Sequence, residues 1–408
     1  MHVLYFHQHF STPKGSTGIR SYQMAKRLIK HGHSVTMVCG SYGGGETDLV
    51  GEFTKGKRTG TVEGIDIIEF DLAYSNSDGL IKRAGTFLKF AFKSVGIALT
   101  HKYDVVFATT TPLTAGIPGI FARWLRGKNF VFEVRDLWPE LPKQMGVIKN
   151  PALLAAMSAL EWASYRSAYR CIGLSPGIVE GIKKRGVSAN KIALVPNGCD
   201  LSIFAEEIKP WRVEGVADDD LMAIFTGTHG QANGLDAALD AALELKKRKR
   251  TDIKLVFIGQ GKLKSHLKQR AQDQGLDNVI FHDPVNKAKL AELMKGADLG
   301  MQLLANIPAF YYGTSPNKFF DYISAGLPVL NNYPGWLSGL IKDNQCGYSV
   351  PPDDASAFAD ALELVADDKS SLPYMGHRAQ DLARREFSRH ELADKWVDWV
   401  TKEVLKND

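Results

Sequence analysis

The chain has 408 residues, 44% hydrophobic and 23% charged, with a net charge of +5 and an isoelectric point near 8.8. This balance excludes a largely disordered chain and a disulfide-stapled miniprotein, and the charge excess is too small to argue for a nucleic-acid partner. It suits anionic ligands or an anionic membrane surface.

By length the chain holds two domains or three. Val3 to Phe6 reads as a short apolar strand. A loop with Pro13, Gly15 and Gly18 follows, then helical apolar spacing from Ser21 to His31, then a strand at Val35 to Val38. Strand, glycine loop, helix and strand in this order predict a parallel βαβ opening. Ligands of such sheets bind past the carboxyl ends of the strands, so the loop from His7 to Arg20 is expected to face a cleft. Gly40 to Gly60 is polar and glycine-rich and reads as a loop. Further strands are expected at Gly64 to Phe70, Asp104 to Ala108, Asn129 to Val134, Cys171 to Leu174 and Ile192 to Val195. Thr109 to Pro112 and Arg135 to Glu140 are loops behind two of them. Pro196-Asn197-Gly198 is a turn signal, and Asp200 to Pro210 reads as a connector.

The pattern then restarts. Leu221 to Phe225 is a strand with Thr226 to Gly230 as its loop, and a helix runs from about Leu235 to Lys249. Lys254 to Ile258 is followed by Gly259-Gln260-Gly261-Lys262, and Asn278 to Phe281 by His282-Asp283-Pro284. Asp298 to Leu303 and Gly347 to Val350 are the last strands, and Arg389 to Val404 a final helix with Trp396 and Trp399. Two doubly wound α/β domains are predicted, over 1–205 and 206–388, with 389–408 packing back on the first.

Between Leu80 and Leu99, Lys82, Arg83, Lys89 and Lys93 interleave with apolar and aromatic residues. This basic amphipathic helix fits a membrane surface. It also fits a domain helix packed on the sheet with its lysines solvated. The four cysteines form no Cys-x-x-Cys pair and read as free buried thiols in a reducing compartment. No signal-peptide pattern and no run of transmembrane length is present, so the expected placement is cytoplasmic and peripheral to the inner membrane.

One stretch, Thr314 to Val329, joins a Gly/Pro loop, a short helix and a strand. Thr314 or Ser315 is expected to cap the helix, with Pro316 at its first position. The free N–H groups around Asn317, strengthened by Lys318, would bind an anion, and Asp321 one turn on would accept from sugar hydroxyls. A surface helix with a solvated Lys and Asp is the plain alternative.

These residues carry a family likeness. The run Val195-Pro196-Asn197-Gly198-Cys199-Asp200 and the paired domains resemble family 4 glycosyltransferases of the GT-B fold. Glu133 to Glu140 and Thr314 to Val329 resemble, more narrowly, bacterial transferases that build O-antigen and capsule repeats, including N-acetyl-fucosamine (aminosugar) transferases. The resemblance implies retaining transfer from a nucleotide-diphospho-sugar, a UDP-sugar first among them, with no metal or other cofactor. It implies a polyprenyl-diphosphate-linked acceptor, the membrane surface as partner, and no nucleic acid.

In this family two glutamates eight positions apart flank the loop and helix. The second corresponds to Asp321, for ribose; the first falls on Gly313. The usual Arg and Lys behind the first strand of the second domain are replaced by Thr228 and Asn233. Lys318 and the N–H groups of Gly227, Thr228, His229 and Gly230 are therefore assigned to the diphosphate, with Gly15 and Gly18 from the first domain. Gly259, Gly261 and Asp283 are expected beside the nucleotide. Asp136 and Arg135 stand where the family often has His-Asp and are assigned to catalysis and acceptor contact, with His7, His9 and Arg20 also at the acceptor. A buried Arg135–Asp136 salt bridge and a solvated His229 are the competing readings.

Asp218-Asp219-Asp220 reads as a solvated turn, and Lys246 to Arg250 as a solvated helix end. Two other functions suit the same pattern. One is an epimerase or hydrolase of nucleotide sugars, which needs no acceptor; the other is a binding module without turnover.

Overall fold

A computed structural model describes residues 1–15, 18–43, 45–74, 78–204 and 208–402. The chain divides into two units, Met1–Pro196 with Gly313–Ser315 and the segment from His390, and Asn197–Tyr312 with Pro316–Arg389. The break falls at the Pro196-Asn197 turn, ahead of the connector that the sequence suggested.

The first unit runs β1 (His2–Phe6), α1 (Arg20–Lys30), β2 (Ser34–Gly40), β3 (Lys57–Val62), β4 (Ile65–Phe70), α2 (Leu80–Thr100) and β5 (Val105–Thr109). It continues through α3 (Ile117–Arg126), β6 (Asn129–Val134), α4 (Glu140–Gln144), α5 (Pro151–Ser167), β7 (Arg170–Gly173), α6 (Pro176–Lys184) and β8 (Ile192–Leu194). The strands form one sheet in the order β3-β4-β2-β1-β5-β6-β7-β8, parallel apart from β3, which is antiparallel to β4. β3 corrects the expectation of an uninterrupted loop over Gly40 to Gly60. Its residues Lys-Arg-Thr-Gly-Thr-Val lie mostly exposed at the sheet edge, so no apolar alternation marks them.

Alternation along the central strands decides what covers each face. Leu4, Phe6, Val106 and Ala108 share a core cluster with Phe90 of α2, Ala122 of α3, Tyr165 of α5 and Ile178 of α6. Tyr5 and Phe107 point the other way, to α15 (Arg389–Thr401), where Trp396 stacks on Tyr5 at 5.9 Å and meets Phe107 edge-on at 4.7 Å. Each such buried aromatic contributes roughly 2–3 kcal/mol through removal of apolar surface from water. Arg27 of α1 grips Asp394 of α15 through both nitrogens, and His31 adds a 2.7 Å contact to the same carboxylate.

The second unit runs β9 (Leu221–Thr226), α7 (Asp236–Lys247), β10 (Ile253–Ile258), α8 (Lys264–Asp273), β11 (Val279–His282), α9 (Lys287–Gly296) and β12 (Leu299–Gln302). Then come α10 (Pro308–Gly313), α11 (Asn317–Ala325), β13 (Val329–Asn331), α12 (Trp336–Asn344), β14 (Gly347–Ser349), α13 (Ala355–Asp367) and α14 (Leu372–Glu386). Its sheet is parallel throughout, in the order β11-β10-β9-β12-β13-β14. Phe225, Phe257 and Met301 pack under α7 and α13, while α11 lies against the opposite face. Both units are thus Rossmann-like, each with its ligand-prone end at the carboxyl ends of its strands.

Candidate functional site

In the second unit the site is built on β9, β10 and α11. The loops behind β9 and β10 touch backbone to backbone. Gly227 N–H donates to Ile258 O at 3.0 Å, His229 N–H to Gln260 O at 3.0 Å, and Leu263 N–H to His229 O at 3.0 Å. Gly259 has φ +150°, and a Cβ there would sit 1.9 Å from Gly227 O. A Cβ on Gly261 would sit 2.4 Å from His229 O. These two glycines therefore owe their place to loop-on-loop packing. Gly259→Ala is expected to cost roughly 2–4 kcal/mol in denaturant unfolding, since backbone rather than a flexible side chain must move.

Lys318 enters this frame from α11. Its Nζ donates to Asn233 Oδ1 at 3.0 Å and lies 5.0 Å from the centre of the Phe225 ring. Asn233 in turn donates to Thr228 O at 2.7 Å, which shapes the loop behind β9. Among the described residues no carboxylate pairs with Lys318. Burial pushes its pKa down to about 8. A half-buried cation held only by an amide oxygen and a ring face is short of an anion. It arrives, from another element, beside the loop position where Asn233 supplies no charge.

Tyr322 sets the height of α11. Its hydroxyl accepts from Thr226 N–H at 3.0 Å and lies 3.2 Å from Thr226 Oγ1, tying the helix to the end of β9. Gly300 leaves room for the ring, because a Cβ there would meet Tyr322 Cγ at 2.6 Å. Asp321 carries a carboxyl that burial pushes up to about 6, with Arg389 and Lys287 pulling it down and Asp200 raising it. Near neutral pH it is an acceptor for hydroxyls.

The cap of α11 differs from the expectation. Pro316 is the N-cap, not the first helical residue, and no side chain caps the helix. Neither Thr314 nor Ser315 fills that role. The chain passes Pro316 at ψ 126°, which leaves the Asn317 turn without a side-chain acceptor. Asn317 itself is exposed.

His229 is fully buried rather than solvated, packed against Phe225, Phe257 and Phe281, and neither ring nitrogen has a partner. Burial, helped by Lys264 and Lys268, pulls it down to about 4, so it is neutral at pH 7. It supports the loop; it does not present a charge. Thr228 and Gly227 are exposed on the rim. Asp283, also exposed, pairs with Lys264 at 2.6 Å. The sequence reading missed Lys264: buried, it donates to Gly259 O at 2.8 Å and His282 O at 3.0 Å, pinning the loops behind β10 and β11 together. No pattern in the sequence distinguishes this lysine from its solvated neighbours Lys262 and Lys268.

In the first unit Glu133, fully buried at the end of β6, is the hub. Arg20 donates to it from Nε at 3.1 Å and Nη2 at 2.8 Å, and also donates from Nη1 to Pro196 O at 2.7 Å and from Nη2 to Val195 O at 2.8 Å. Arg20 is only 4% exposed. This corrects its assignment to the acceptor: all three of its nitrogens donate inside the fold. Burial raises the Glu133 carboxyl, but Arg20 and then Arg135 outweigh it and hold it below the usual carboxylate range. Arg135 also bonds inward, to Thr109 Oγ1 at 2.8 Å and Ser21 Oγ at 2.9 Å. The competing reading, an Arg135–Asp136 salt bridge, does not hold; Arg135 pairs with Glu133 instead, at 3.4 Å.

Among the described residues the Asp136 side chain has one hydrogen bond, from Thr111 Oγ1 at 3.2 Å, and burial pushes its carboxyl up. His7 and His9 follow β1 in the same unit. Burial first, then Arg135, holds His7 well below the usual imidazole range and His9 at about 4. His9 sits among Tyr42, Tyr74 and Phe87. One nitrogen of each, His7 Nδ1 and His9 Nε2, lacks a partner. Both of these nitrogens are buried, and His7 is 3% exposed. Gly15 and Gly18, assigned to the diphosphate, flank Ser16 and Thr17, which lie outside the described residues.

The set-aside features are structural. Asp220 accepts from Ala217 N–H at 2.9 Å inside a turn, and Arg248 and Arg250 are ion-paired with Glu244, Glu363 and Asp252.

Residues 15–198 match the glycosyl transferase 4-like domain and residues 208–382 the glycosyl transferases group 1. The chain is 28% identical over 211 residues to the D-inositol 3-phosphate glycosyltransferase of Paenarthrobacter aurescens, covering 49% of each protein. It is 24% identical over 260 residues to the O-antigen chain mannosyltransferase C of Escherichia coli, covering 62% of this chain and 64% of the relative. The match thus spans about half to two thirds of these relatives. Among solved structures, sucrose-phosphate synthase from Thermosynechococcus elongatus superposes with a TM-score of 0.75 at 16% identity, over 100% of both chains. The Anabaena HepE protein, solved with UDP and glucose, gives 0.69 at 15%, again over 100% of both. With a 4-like module and a group 1 module spanning most of its length, the chain belongs to the glycosyltransferases of the GT-B fold.

Proposed function

We propose that the protein is a retaining glycosyltransferase that moves a sugar, an N-acetylated aminosugar by its motif likeness, from a UDP-sugar to a polyprenyl-diphosphate-linked saccharide in surface-polysaccharide synthesis. The observation that carries this is Lys318: a cation without a carboxylate partner among the described residues, at the carboxyl end of β9, against a loop whose Gly227 and Thr228 are exposed. In this reading Lys318 and the Thr228 N–H stabilise the leaving diphosphate, the place where charge develops, while the Gly227 and His229 N–H groups stay on Ile258 O and Gln260 O. Asp321 accepts from the ribose hydroxyls. Asp136 takes the acceptor hydroxyl, and neutral His7 and His9 orient the acceptor sugar. Arg135 holds Asp136 in place through its bonds to Glu133 and Thr109. No cofactor beyond the donor is invoked.

The relatives support the polysaccharide assignment, since one acts on the O-antigen chain by its name, and the fold neighbour solved with UDP supports the donor class. Among the described residues no helix is long and apolar enough to cross a membrane, so a lipid-linked acceptor would be met at the surface, through α2. The test is a panel of UDP-, GDP- and dTDP-sugars with a polyprenyl-diphosphate-sugar acceptor, read by mass spectrometry. Acceptor-dependent transfer from a UDP-aminosugar is expected. Free sugar or an isomer formed without acceptor would instead establish a hydrolase or epimerase, and binding without turnover a binding module. Asp136→Asn is expected to lower turnover by ~100-fold or more with donor affinity unchanged, as for loss of a group acting in the transition state.

A further inference from the structure

Three of the helices that cover one face of the first unit's sheet pack side by side, α2 on α3 and α3 on α5. Their inner sides form the core. Their outer sides are apolar as well, which a helix facing water is not. On α2, Phe92 is 69% exposed; on α3, Trp124 and Leu125 are each 65% exposed; on α5, Trp162 is 60% exposed. The solvent side of α5 continues with Ala152, Ala156 and Ala159, spaced as one helical stripe that ends at Trp162. The Trp124 indole donates to Ser167 Oγ at 2.8 Å, which ties its ring to the end of α5.

Charge on this layer has one sign. α2 and α3 contain no Asp or Glu, and the one acid of α5, Glu161, is buried and paired with Arg185 at 2.8 Å. Lys89 on α2 and Arg166 on α5 stand exposed among the apolar side chains. A second copy of the same face would bring cation against cation. An anionic lipid surface matches both features, with tryptophans at headgroup depth and lysine and arginine at the phosphates.

We propose that the outer face of α2, α3 and α5 docks on an anionic bilayer, seating Trp124, Leu125 and Trp162 in the headgroup region. The sequence pointed to α2 alone; here α3 and α5 supply the inserted anchors. The idea rests on the reading of a membrane-surface enzyme, but it is tested without donor or acceptor. The full chain is floated with phosphatidylglycerol-containing vesicles and with phosphatidylcholine vesicles. Preferential binding to the former is expected, with a loss of ~10-fold or more in the Leu125→Glu/Trp162→Glu double variant and none in Leu364→Glu, an exposed site on α13 of the other unit. Thermal melting confirms that the variants fold. If the double variant does not, quenching of tryptophan fluorescence by bromine-labelled acyl chains, reduced in Trp162→Phe, reads the same contact. Equal flotation of wild type and double variant, equal binding to both lipids, or a dimer dissociated by the double variant with no change in flotation would each overturn the proposal. Vesicle binding without sugar transfer in the donor panel sinks the transferase reading alone.

Discussion

Replacing Lys318 by alanine will weaken donor binding by ~10- to 100-fold, the range of a lost charge-assisted contact to a diphosphate. Calorimetric titration with UDP is the direct measurement. The pH dependence is the sharper signature. Burial places the ammonium near a pKa of 8, so above that pH the free protein sheds the proton that binding requires. The dissociation constant should then rise by about tenfold per pH unit above 8, while Lys318→Ala stays flat there. On the acid side Asp321, pushed up to about 6, loses its acceptor charge as pH falls through that value. Donor affinity is expected to be bell-shaped between these two limits. An alkaline limb that persists in Lys318→Ala would show that another group titrates, and UDP affinity unchanged by the substitution would remove Lys318 from the diphosphate site. The same depressed pKa makes folding more favourable as pH rises from about 8 towards the ordinary lysine value, because the unfolded chain binds more protons in that window.

Arg20→Ala carries the largest expected loss of stability, about 3–5 kcal/mol in denaturant unfolding, with a fall in midpoint and little change in slope. The reason is the partner left behind. Glu133 is fully buried, and without Arg20 its carboxylate keeps only Thr109 and the longer Arg135 contact. In the wild type the net shift of Glu133 is downward, so its stabilisation is complete above the ordinary glutamate pKa and is lost as pH falls through the depressed value. In Arg20→Ala burial dominates, the shift reverses, and stability should instead fall as pH rises through the raised value. Arg20→Ala/Glu133→Gln should recover part of the loss, since an amide can remain buried with Thr109. A single variant as stable as wild type would contradict the hub assigned to Glu133.

Much of the fold is legible in the order of apolar runs. Val3 to Phe6, Phe130 to Val134 and Leu221 to Phe225 are buried in parallel strands, and such strands read as largely apolar segments. Edge strand β3 was not legible, because an exposed edge needs no apolar pattern. At the site, Lys318 and Asp321 could be singled out because a helix start and an i, i+3 spacing are local facts. Arg20 could not be separated from a ligand-binding arginine, since its partner Glu133 is distant in sequence. The same holds for Lys264 and Tyr322, whose partners are backbone atoms of other strands.

The sequence by itself determined two βα-repeating domains, a glycine-punctuated loop behind each ligand-bearing strand, and a basic aromatic helix near residue 90. Local propensity, hydrophobic period and turn chemistry suffice for these. Only the tertiary structure decided which charges are spent inside the protein and which are left for a ligand. Arg20, Arg135 and Lys264 are consumed by partners inside the fold, while Lys318 is brought to Asn233 with no carboxylate partner among the described residues. It also turned one basic helix into part of a three-helix apolar face. Both outcomes depend on contacts between residues far apart in the chain, which composition and spacing do not encode.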